Sequence, residues 1–68
     1  MDESHDDLRI QLETISEQLG DRIMVLLRDA LETGAPGRPP EEKLLSRARA
    51  AVDKAAGLLR QVSERTEG

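Results

Sequence analysis

Gly34-Ala35-Pro36-Gly37-Arg38-Pro39-Pro40, in the middle of the chain, decides its fold. Proline lacks a backbone N–H and glycine orders at a high entropic cost, so breakers this dense end any helix that reaches them. Gly34 is placed to stop a first helix. Pro40 suits the first turn of a second, where its missing N–H is not needed. Glu41 and Glu42 follow at the positive end of that helix, where carboxylates are favourable. The expected boundaries are a helix over 4–33, a linker over 34–39 and a helix over 40–65, within one helical-hairpin domain spanning 1–68.

Upstream of the linker, Leu8, Leu12, Ile15, Leu19, Ile23, Leu26 and Ala30 recur at spacings of four and three. Downstream, Leu45, Ala48, Val52, Ala55, Leu59 and Val62 alternate by three and four. Each set falls along one side of a helix, and such a stripe must be covered. A short connection makes the two helices antiparallel neighbours. On the first helix the stripe drifts across Gly20 with an eleven-residue recurrence (Leu8 to Leu19, Leu12 to Ile23, Ile15 to Leu26), which predicts a nearly straight seam. Gly20 is either a tolerated weak spot or a point of close helix approach. Ser4, with Asp7 three residues later, has the form of an N-terminal cap.

The chain of 68 residues has no Cys, Phe, Trp or Tyr. Disulfides and thiolate metal sites are therefore excluded. The core has to be aliphatic, and a chain this short buries little of its surface by itself. The expected fold class is all-α: an antiparallel two-helix hairpin that dimerises, through coiled-coil-like packing, into a four-helix bundle. Beyond the mutual stripes, Met24, Leu27 and Leu31 widen the first helix's apolar arc, and Leu44, Ala51 and Leu58 widen the second's. Those six residues form the expected protein interface.

Charge is divided unevenly. Residues 1–33 hold nine acidic and three basic side chains, while 34–68 hold five and seven. Antiparallel folding therefore brings the acidic start of the first helix towards Arg60 and Arg65. The net charge of −4 and the lack of stacking aromatics weigh against nucleic acid. No apolar run is long enough for a bilayer, and the acidic opening Met1–Asp7 is unlike a secretion signal. A cytoplasmic protein is expected, with no membrane partner.

No catalytic, metal or cofactor motif emerges. His5 stands among carboxylates near the N-terminus and reads as a solvated residue. Glu13, Glu17 and Asp21 form a solvated row. The segment with Leu8-Arg9, Ile15 and Ile23-Met24-Val25-Leu26-Leu27 resembles the first helix of the small all-helical chorismate mutases, over less than a third of the chain. That resemblance implies a small helical enzyme with a cationic pocket, for which Arg9, Arg22 or Arg28 would serve. The later site residues of that family have no counterpart in the second helix, so no catalytic role is carried over. Secreted helical hairpins of the WXG type share the hairpin plan, but this chain lacks their Trp-x-Gly turn. The composition favours a non-catalytic protein-protein interaction module: an adaptor, regulator or assembly subunit that forms a homodimer or binds a heterologous protein partner. The alternative is a docking segment that orders on a larger protein.

Overall fold

A computed structural model describes residues 3–34 and 39–67, which form two helices, α1 (Glu3–Thr33) and α2 (Pro40–Glu67). Residues 35–38 of the expected linker, and the side chain of the expected cap Ser4, lie outside this description. The helices pack along their length into a rod 53 Å long and 14 × 12 Å across. Their direction follows from the cross-helix contacts. Asp6 meets Ser63, Glu13 meets Arg60 and Ser16 meets Arg49, an order that reverses along α2 and makes the pair antiparallel.

The ends of the helices have local causes. Gly34 takes φ 71°, a left-handed conformation that L side chains resist, and its N–H reaches the Leu31 carbonyl at 3.3 Å. Thr33 Oγ1 donates to the Asp29 and Ala30 carbonyls, covering acceptors that the last turn would leave bare. The Pro39 carbonyl accepts from Lys43 N–H at 3.3 Å and opens α2.

The seam differs from the expected stripes. It runs through Arg9, Leu12, Ser16, Leu19, Ile23, Leu26 and Ala30 on α1, all partly or fully buried. Leu8 and Ile15, assigned to the stripe by their apolar character, are instead 49% and 42% exposed. The eleven-residue drift is therefore not followed, and the spacing stays at four and three throughout. With Arg9 and Glu42 at position a of a seven-residue repeat abcdefg, Leu12, Leu19 and Leu26 form row d of α1. Leu45, Val52 and Leu59 form row d of α2, which keeps a strict period of seven. A helix that follows such a partner must hold the same repeat, or its stripe rotates out of contact.

The second flank of the seam is row a on both helices, and much of that row is polar. On α2 it comprises Glu42, Arg49, Ala56 and Ser63, in place of the expected Ala48, Ala55 and Val62. Ala48 and Val62 face outward, while Ala55 is half-buried beside the seam. The polar groups are satisfied in pairs. Arg49 Nε donates to the buried Ser16 Oγ at 3.2 Å, and Ser63 Oγ donates to Asp6 at 3.1 Å. Glu42, 1% exposed, accepts from Ser46 Oγ at 2.9 Å. Among the described residues, no buried side-chain N or O lacks a partner.

Gly20 has a third explanation. The space that a Cβ would fill is taken by the Arg49 guanidinium, whose Nη1 would stand 2.8 Å from it. A side chain and not a helix backbone lies against this glycine, so the expected close approach of another backbone does not account for it.

Candidate interaction surface

A helix repeats its side-chain directions every 3.6 residues, so each flank of an a/d seam carries a defined pair of rows: e with b on one side, g with c on the other. Glu13 and Arg60 both occupy row e, and their ion pair spans the helices at 3.1 Å. The e rows of the two helices therefore share one broad face of the hairpin. The g rows share the other.

The e/b face is mixed in character. Glu13 also accepts from Arg9 Nη1 at 3.0 Å, and Asp6 lies 3.9 Å from Arg9 Nε, giving a network that ties the open end of the hairpin. Its members are partly exposed, so each contact contributes a few tenths of a kcal/mol to about 1 kcal/mol. Farther along the same face stand Met24, Leu27 and Leu31, beside Lys43 and Ser46 of α2.

The g/c face is apolar along most of α2. Every g and c position between Leu44 and Val62 is Leu, Ala or Val: Leu44, Ala48, Ala51, Ala55, Leu58 and Val62. Leu44 is 63% and Leu58 52% exposed. On α1 the same face carries Leu8, Ile15 and Val25, with Gln11, Gln18 and Arg22 between them. Glu41 and Arg65 close its two ends on α2.

The six residues expected at an interface thus fall into two groups. Leu44, Ala51 and Leu58 are exposed together on the g/c face. Met24, Leu27 and Leu31 are together on the e/b face, with Met24 and Leu31 exposed and Leu27 half-buried. No single flat contact holds all six. Leu8, Ile15, Ala48 and Val62 join the first group, although the sequence pattern places them inside the hairpin. The signal for this was the four-and-three spacing of Arg9, Leu12, Ser16 and Leu19, legible once polar residues are admitted to a seam.

The cations considered for an enzyme pocket do not converge. Arg9 lies in the seam and is engaged by Glu13, Arg22 is on the g/c face, and Arg28 points away from α2 in row f. The described residues enclose no pocket and gather no group of three or more potential metal ligands. No described helix is long and apolar enough to cross a membrane. Neither a protein-family model, nor a curated protein, nor a solved structure matches the chain.

Proposed function

We propose that this protein is a non-catalytic interaction module, which acts as an adaptor, regulator or assembly subunit through an oligomeric helical bundle. One observation carries the proposal: the hairpin leaves most of its large apolar side chains outside its own seam. Ala56 is the one fully buried hydrophobic residue among those described, while nine large hydrophobic side chains stand exposed. A folded monomer of this mass exposes about 4,250 Å², against 5390 Å² here. The rod thus exposes roughly 1,100 Å² more than a compact monomer of its mass.

Sedimentation equilibrium combined with far-UV circular dichroism over a concentration series tests this. A helical species near twice the chain mass of 7.5 kDa, losing helicity on dilution, is the expected result. A fully helical monomer at high micromolar concentration refutes self-association. A monomer with little helicity instead supports a segment that orders on a different protein.

A further inference from the structure

We propose that the g/c face is covered by a second copy of this chain, with α2 against α2 and α1 against α1, antiparallel about one two-fold axis that crosses this face between Ala51 and Ala55, at the level of Asp53. The inference rests on self-association and adds its symmetry, face and register.

The arrangement of rows points to it first. Row d is the shared edge of two contacts: a/d towards the other helix of the hairpin, d/g towards whatever covers the broad face. The hairpin turns its polar row a inward, where Ser16, Arg49 and Ser63 find partners, and leaves the apolar row g of α2 outward. A two-helix protein does better with those rows exchanged. A four-helix bundle needs them as they are, because there row d points to the bundle centre and both flanks are covered.

The pattern on α2 is also complementary to itself. Setting α2 antiparallel to a copy about Asp53 places Leu44 on Val62 of the second copy, Ala48 on Leu58, and Ala51 on Ala55. Large residues meet at the ends, large meets small next, and small meets small in the middle, so the two helices can approach closely. The same operation sets Glu41 against Arg65 of the second copy at both ends of the contact. Both are exposed and make no ion pair with a described residue. Within one chain they cannot meet, being 24 residues and about 36 Å apart along one helix. A shift of one repeat in either direction uncovers a large residue and parts the charges.

The first helix accommodates the same axis. Pairing Leu8 with Val25 of the second copy, Gln11 with Arg22 and Ile15 with Gln18 matches the g and c positions from Leu8 to Val25 about a point between Ser16 and Glu17. The short Ser63–Asp6 contact sets that point level with Asp53 in the folded hairpin, and the longer reaches of Arg49 to Ser16 and Arg60 to Glu13 straddle that level from either side. One axis therefore serves both helices. The rival stacking, α1 of one copy on α2 of the other, puts Glu41 near Asp29 and seats Gln11 on Leu58. Both stackings cover glutamine amides, and the like charges of Glu41 and Asp29, in place of the opposite charges of Glu41 and Arg65, disfavour this one.

Charge exchange tests the register on the full-length chain. Glu41→Arg and Arg65→Glu each put like charges at both ends of the contact, and each weakens the dimer about fivefold, the equivalent of ~1 kcal/mol. The double variant E41R/R65E recovers wild-type dimerisation to within about twofold. Each change also sets an unfavourable charge at its own helix end, and combining them does not relieve that. Recovery therefore reports the contact between copies. In parallel, A51C chains mixed with A55C chains form an oxidised cross-link, and I15C chains mixed with A55C chains do not. A wild-type dimer with no recovery in the double variant, or with the 15–55 cross-link, overturns the register and leaves self-association standing. A monomeric wild type overturns both.

Discussion

Leu58 is 52% exposed in the hairpin, so shortening it to alanine costs an isolated chain little and an assembly that covers it much more. Full burial of a leucine side chain stabilises by roughly 1.5–3 kcal/mol. Covering the half that remains open is therefore worth about 0.8–1.5 kcal/mol per copy. Two-fold symmetry doubles this, so Leu58→Ala weakens the dimer by about 1.5–3 kcal/mol, or roughly 10- to 150-fold in dissociation constant. Alanine is the stronger helix former, so the separated variant chain is no less helical than the separated wild type. Met24 supplies the control. It is 59% exposed but on the opposite broad face, and Met24→Ala leaves the dissociation constant within about twofold. Sedimentation equilibrium of the three proteins at matched helicity measures both effects. If Leu58→Ala and wild type dissociate alike, or if Met24→Ala weakens the dimer as strongly, assigning the contact to the g/c face is wrong.

Three changes probe the hairpin itself. In an Arg49→Ala background, Gly20→Ala stabilises by about 1 kcal/mol, because the guanidinium that lies against Gly20 is gone and the helix gains a better former. In wild type the gain is smaller, and equal gains in a denaturation cycle would show that Arg49 does not fill that space. Gly34→Ala costs about 1–2 kcal/mol, since φ 71° is strained for any residue with a Cβ. An unchanged denaturation midpoint would rule out that turn. Ala56→Leu forces extra volume into the seam where Ala56 is 5% exposed, and destabilises by about 1–3 kcal/mol. A thermal midpoint at or above that of wild type would mean that the helices stand farther apart there.

Much of the architecture was legible in the residues. The glycines and prolines of 34–40 and the apolar recurrences on either side foretold two helices packed together, because breaker chemistry and helical period are local properties. The faces were harder. Ile15 and Ser16 are adjacent, and on apolar character Ile15 belongs inside, yet Ser16 is 7% exposed and Ile15 faces out. The difference lies 33 residues away, in an Arg49 that needs an acceptor and finds the Ser16 hydroxyl. Likewise Ala48 and Val62 share the spacing of Leu45 and Leu59, and nothing within α2 says which flank of row d turns towards α1.

The sequence by itself thus determined the two helices, the break between them and the surplus of apolar arc, all of which follow from neighbours within a turn or two, while α2 runs two residues past the expected end at 65. Tertiary structure decided the rotation of each helix about its own axis. That angle is set by the sum of cross-helix contacts, Asp6 with Ser63, Glu13 with Arg60 and Ser16 with Arg49, and by the seven-residue repeat both helices must share. A rotation of one position leaves every local preference unchanged, but it exchanges a polar row for an apolar one at the surface. With that exchange, the residues available to a partner change as well.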